Sequence, residues 1–177
     1  MTLKFIIIQL LNILAWGLLI ISYYRENKKQ ILFFHILATI LYSLHYYFLG
    51  AYSGLYICIF EIVRDYMYFI TDDDKDKYIF LCSLPVYGVL VAYMYKNLYD
   101  LFPIISCALA GWSLSKTRNV IIACAVIEYT LWVIYDITVK SYTGAFTDGT
   151  IVLANLILLI KKDFFKDDEK LNSLFNK

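Results

Sequence analysis

Charged side chains are nearly absent from seven successive runs of about 20 residues each, and that absence decides the solvent in which the chain folds. A hydrocarbon layer of about 30 Å is crossed by roughly 20 helical residues, and every backbone polar group inside it must find its partner within the segment. The runs lie at 4–24, 30–49, 53–71, 78–95, 98–115, 119–139 and 145–162, with most of the charge clustered between them. Hydrophobic residues make up 61% of the 177, against about 45–50% in a soluble domain, and the mean hydropathy is +0.64. The pattern predicts an all-α membrane protein with the lipid bilayer as its main partner. The third, fifth and seventh runs carry Glu61, Arg64 and Asp65, then Asp100 and Pro103, then Asp148; a six-span count without the fifth is the alternative. A net charge of +1 offers nothing to nucleic acid. Cys58, Cys82, Cys107 and Cys124 all lie in apolar runs without Cys-x-x-Cys spacing, which reads as small core residues rather than disulfides or metal ligands. The first run is too long for the apolar stretch of a signal peptide and has no small-x-small cleavage pattern after it, so a retained helix is expected.

Basic residues near the ends of the runs set an orientation. One side collects Arg25, Lys28, Lys29, Lys75, Lys77, Lys116, Arg118, Lys161, Lys162, Lys166, Lys170 and Lys177; the other has Lys4, Lys96 and Lys140. The asymmetry predicts an amino terminus outside and a carboxyl terminus in the cytoplasm, hence an odd number of crossings. After Lys162, Phe164, Leu171, Leu174 and Phe175 recur at helical intervals among charges, as in a short interfacial helix. The run at 71–78 reads as a solvated loop rather than a metal site.

The stretch from Tyr42 to Asp65 returns about 90 residues later, from Trp132 to Asn155. In register, Tyr42 matches Trp132, His45 matches Tyr135, Tyr52 matches Tyr142, Ser53 matches Thr143, Gly54 matches Gly144 and Asp65 matches Asn155. Two three-helix units fused head to tail would point in opposite directions; one extra crossing restores a common direction. The run at 78–95 has no counterpart and fits that connector. Boundaries follow: a first repeat at 1–71, a loop and linker helix at 72–97, a second repeat at 98–162 and a tail at 163–177. Ser53 and Thr143 suit helix caps, the adjacent glycines suit tight reversals, and Tyr52 and Tyr142 suit headgroup depth.

The basic loop Arg25-Glu26-Asn27-Lys28-Lys29-Gln30, the segment from His45 to Gly54, Val63-Arg64-Asp65 and Lys140-Ser141-Tyr142-Thr143-Gly144 together resemble the YgjV-like bacterial inner-membrane proteins. That group is similar in shape to the SWEET, semiSWEET and PQ-loop solute carriers. The resemblance covers nearly the whole chain and implies two parallel three-helix bundles around a central pathway, joined by a linker helix. In the sugar carriers of the wider group the pocket has an aromatic on the second helix of each repeat and an asparagine on the third. Carried over by position, the resemblance implies Tyr42 and Trp132 as the rings and Asp65 and Asn155 as the polar pair. Asp65 and Tyr42 depart from the asparagine and tryptophan of that pattern. Hinge prolines are mostly missing, with Pro103 alone in an equivalent helix and Pro85 in the linker.

Ionisable groups at membrane depth need a partner, a wet cavity or a proton, because burying a central charge costs about 2.5–3.5 kcal/mol even on the mildest scales. Glu61, Arg64 and Asp65 fall within about one turn, so Arg64 can pair with either carboxylate and leave one over. Glu128 lies deep in the sixth run with no basic residue within a turn. Its expected role is to face the cavity and carry a proton or attract a cation; a neutral acid bonding a neighbouring helix is the plainer reading. His35 and His45 are too far apart along one helix to share a metal, about 15 Å, and read as hydrogen-bonded interior residues. Trp16 and Trp112 read as packing or belt residues, while Trp132 and Tyr42 are placed to sandwich a flat or sugar-like solute.

No nucleophile, zinc or phosphate-loop motif appears, so neither an enzyme nor a cofactor is expected. The sequence points to a SWEET-like facilitator or proton-linked transporter of a small polar metabolite. Substrate contacts are assigned to Tyr42, Asp65, Trp132 and Asn155, and charge coupling to Glu61, Arg64 and Glu128. A homo-oligomer is permitted but not required. The rivals are a non-transporting membrane receptor or assembly partner and a PnuC-like vitamin-precursor importer.

Overall fold

The computed structural model describes residues 3–25, 27–72, 75–113, 116 and 118–175; for 3, 4, 23, 118, 119 and 161–175 it describes the backbone alone. Seven α-helices follow one another: α1 Leu3–Tyr23, α2 Lys28–Leu49, α3 Tyr52–Ile70, α4 Asp76–Met94, α5 Leu101–Ser113, α6 Arg118–Thr138 and α7 Tyr142–Phe175. No strand occurs among the described residues. Among the described residues, five helices are long and apolar enough to cross a membrane: α1, α2, α4, α6 and the Tyr142–Ile160 part of α7. The two that fall short do so for different reasons. Helix α3 has the length but carries Glu61, Arg64 and Asp65, whereas α5 is a short apolar helix of 13 residues. The residues after Lys162 continue α7 without a break rather than forming a separate helix, and their side chains lie outside the described residues.

Local chemistry fixes the helix ends. The side chain of Asn27 accepts from the amide of Lys29 at 2.8 Å and caps α2. Helix α2 stops at Gly50, which is left-handed at φ 74°, while the amides of Gly50 and Ala51 bond back to the carbonyls of Tyr47 and Tyr46. The same stop recurs at the end of α6. There Lys140 is left-handed at φ 61°, and the amides of Lys140 and Ser141 bond to Ile137 and Asp136. Before α5, Leu98–Asp100 forms one 3-10 turn whose Asp100 carboxylate accepts from the amide of Asn97 at 2.9 Å. Pro103 sits in the first turn of α5, where a missing N–H removes no helical bond, and Pro85 interrupts the bonding of α4 in its middle.

Helix α2 packs between α1 and α3, and α6 between α5 and α7. The two sets meet where α1 touches α7 and α3 touches α5, and α4 touches α3 and α5 to a similar extent, less closely than helices pack within a set. Polar pairs bind α1 to α7. The hydroxyl of Thr143 donates to the side-chain oxygen of Gln9, and that of Thr147 donates to Asn12 at 3.1 Å. Large apolar side chains such as Ile7, Leu14, Val63, Val89, Phe146 and Leu153 face outward, the inverse of a water-soluble protein and the arrangement a lipid surroundings demands.

Candidate functional site

Polar side chains inside this fold gather along its centre in three layers. At the end bearing Gly50 and Lys140, rings and hydroxyls of α2 and α3 lock together with those of α6 and the turn before α7. The ring of His45 is fully buried and donates from Nδ1 to the carbonyl of Ile8 at 2.7 Å. A carbonyl only accepts, so Nδ1 carries a hydrogen, and in the neutral ring Nε2 accepts from the Ser141 hydroxyl at 2.8 Å. Its repeat counterpart Tyr135 performs the reciprocal task at the start of α3. The Ser53 hydroxyl donates to Asp100 at 2.8 Å, so Tyr135 donates to Ser53 at 2.8 Å and accepts from the amide of Gly54 at 2.8 Å. Tyr46 on α2 and Asp136 on α6, 90 residues apart, bond to each other, hydroxyl to carboxyl, at 2.9 Å. Glycine is required at both helix starts. A Cβ at Gly54 would lie 3.0 Å from the rings of Tyr46 and Tyr135, and one at Gly144 would collide with the Asp136 carboxyl and the Ser141 hydroxyl.

Below this plug lies a chamber of about 40 Å³ lined by His35, Tyr42, Tyr46, Glu61, Glu128, Trp132 and Asp148, among others. Trp132 is stacked on Tyr46 with ring centres 5.6 Å apart and planes 18° from parallel. Tyr42 lines the same chamber, but the ring stacked on Trp132 is Tyr46. At about 10–15 Å³ per water-sized group, the chamber accommodates roughly three such groups.

Toward the end bearing Arg25, Lys28 and Lys116, a vestibule of about 370 Å³ shares His35, Glu61, Glu128 and Tyr129 with the chamber. Arg64, Asp65 and Asn155 line the vestibule and do not line the chamber. Arg64 is buried and holds both neighbouring carboxylates, Asp65 at 3.0 and 3.1 Å and Glu61 at 3.0 Å. It also donates to the carbonyl of Cys107 at 2.8 Å, which ties α3 to α5. The second oxygen of Asp65 accepts from His35 Nδ1 at 2.7 Å. No carboxylate of the Glu61, Arg64 and Asp65 group is left over, because one guanidinium fork and one imidazole serve both. The Asn155 side-chain amide donates within its own helix, to Ile151 at 2.9 Å.

Of the residues expected from sequence, Tyr42, Trp132, Glu61 and Glu128 therefore share the chamber, and Arg64, Asp65 and Asn155 stand at its mouth. Sequence reasoning passed over Tyr46, Asp136 and the role of Asp148. Asp136 and Asp148 are 0% and 7% exposed inside predicted spans, and an ionisable residue at that depth is itself a signal of function. His35 was readable only as an interior residue, because Asp65 sits on another helix. Among the described residues, no group of histidine, cysteine and carboxylate side chains is placed to hold a metal.

Fold and site together define a helical membrane protein with a polar chamber sealed at one end and fronted by a vestibule at the other. Residues 6–164 match the model of the Imp-YgjV family, described as a bacterial inner membrane protein, and the chain belongs to that family. No curated protein and no solved structure matches it.

Proposed function

We propose that the protein is a carrier, a SWEET-like facilitator or proton-linked transporter of a small polar metabolite, in which two parallel three-helix bundles rock about the chamber. Helices α1–α3 form one bundle, α5–α7 the other, and α4 the connector, with α3 and α5 completing a count of seven crossings. The packing supports this layout, since α2 and α6 pack closely on both neighbours of their own set, and α4 touches α3 and α5 no more closely than the two sets touch each other. The distribution of basic residues supports an orientation with the vestibule end in the cytoplasm and the plug end outside. One observation carries the reading: the chamber is walled off at one end by reciprocal bonds between the bundles and adjoins a wide vestibule at the other. Alternating access needs such an asymmetry and a barrier that breaks between rigid halves.

The barrier gives the test. Replacing Tyr135 with Phe removes the hydroxyl that joins α6 to Ser53 and Gly54, about 1 kcal/mol of net hydrogen bonding and enough to shift a two-state balance several-fold. Membrane-impermeant thiol labelling is read at single cysteines in an otherwise cysteine-free chain, one at Ala51→Cys on the plug end and one at Ala125→Cys in the vestibule. For a carrier, the Tyr135→Phe change raises labelling at 51 and lowers it at 125. Labelling that rises at 51 with no change at 125 describes a loosened static wall, and the reading then passes to a non-transporting receptor.

A further inference from the structure

We propose that the solute is a small organic cation whose ammonium head is held in the chamber by the carboxylates of Asp148 and Glu128. This deepens the carrier reading and rests on it in one respect, that the chamber is where the solute sits. The cationic side chain nearest the chamber is already committed: Arg64 is held by Glu61 and Asp65, and His35 by Asp65. The carboxyls of Asp148 and Glu128 have no such engagement. Both line the chamber, neither makes a hydrogen bond or ion pair with any described residue, and Asp148 is only 7% exposed. Of the other acidic groups nearby, Glu61 and Asp65 are paired through Arg64, while Asp136 bonds Tyr46 through one oxygen and keeps its second oxygen without a partner above the chamber.

A buried carboxyl without a partner is kept neutral by a proton, and a cation that arrives with its own hydrogen-bond donors replaces that proton, which leaves through the vestibule. An anion would find acidic groups and no free cation, and a neutral hydroxyl solute would gain no charge pairing from either carboxyl. The rest of the wall is aromatic, with Tyr42, Tyr46, Tyr129 and Trp132, and aromatic faces attract organic cations. Size sets the remaining limit. A chamber of about 40 Å³ admits an ammonium head and one or two carbons, so any longer tail must extend past Glu128 into the vestibule of about 370 Å³. A hexose ring does not fit in the chamber, since pockets for such ligands run to about 300 Å³ and above.

The test is calorimetric titration of the purified full-length protein in detergent with ethylammonium, with ethanol as its uncharged analogue, and with sodium at equal ionic strength. Ethylammonium is expected to bind, with ethanol and sodium each at least about tenfold weaker. Asp148→Asn and Glu128→Gln are each expected to weaken ethylammonium at least about tenfold while leaving the thermal unfolding midpoint of the protein in place. No heat with ethylammonium, equal affinity for ethanol or sodium, or unchanged affinity in a folded Asp148→Asn protein would each overturn the assignment. Should either variant fail to fold, the comparison of the three probes on the unaltered protein decides alone. Binding in detergent requires no rocking, so this result and the thiol-labelling result stand or fall separately.

Discussion

Lys140 takes, 90 residues on, the same left-handed backbone angle as Gly50. Its counterpart Gly50 adopts φ 74° without steric cost, whereas Lys140 at φ 61° places a Cβ against its own carbonyl, a strain of about 1–2 kcal/mol in an L-residue. The bonds around the two are the same, amide of the left-handed residue to 47 or 137 and amide of the next to 46 or 136. Lys140→Gly should therefore stabilise the protein by about 1 kcal/mol, less the greater freedom of glycine when unfolded. Gly50→Ala should destabilise it by a similar amount. Thermal unfolding in detergent checks both, and a lower midpoint for Lys140→Gly would show that the lysine side chain contributes more than its backbone costs. The turn was visible in the sequence as matched Ser/Thr-Gly pairs, but the strain was not. Nothing in a lysine codon announces φ, and only its position opposite Gly50 would have suggested it.

Helix α3 is the element in which composition and structure most nearly conflict. Three charges within about one turn keep it below the apolarity of the other long helices, yet each charge has a specific partner. Arg64 reaches Glu61, Asp65 and the Cys107 carbonyl, and His35 on α2 takes the remaining Asp65 oxygen. A helix with this sequence would be costly to place in lipid alone and becomes compatible with it once packed between α2 and α5. Sequence spacing made the pairing within α3 legible, because i, i+3 and i+4 share a face. It could not supply His35 or Cys107, which approach from other helices. Arg64→Met should cost about 3–5 kcal/mol, since it strands two buried carboxylates, and Arg64→Lys should recover only part because an ammonium lacks the fork. Adding Glu61→Gln and Asp65→Asn to Arg64→Met should restore much of the loss. An unfolding midpoint unchanged by Arg64→Met alone would mean that water already serves these carboxylates through the vestibule.

At the scale of the whole molecule, the pairings that seal the chamber join α2 and α3 to α6 and the start of α7. Tyr46 touches Asp136, His45 touches the start of α7, and Tyr135 touches the start of α3. Repeat periodicity showed which positions are equivalent, and an axis relating two bundles brings equivalent positions near it into contact, so Tyr46 and Asp136 were in principle derivable as a pair. They were missed because charges were sorted by neighbours along the chain rather than by repeat position. Asp148 was missed likewise, as its counterpart Cys58 is uncharged although both line the chamber. The same symmetry governs topology. If the repeats are parallel, Gly50 and Lys140 share one face of the membrane, and α4 must cross in full to bring the chain back for α5. Helix α4 has the length and hydropathy to do so despite Pro85. Each terminus then lies on its own side, with the Lys161-to-Lys177 segment at the face of Arg25, Lys28, Lys29 and Lys75 and the amino terminus opposite. Reporter domains that are active on only one side of the membrane, fused in turn to each end of the full chain, should give opposite signals. A third reporter inserted after Tyr95 should match the amino-terminal one, because that loop joins α4 to the Asn97 turn on the plug face. Agreement between the two termini would require an even number of crossings, would turn one repeat over, and would leave the Tyr46–Asp136 contact without its symmetry.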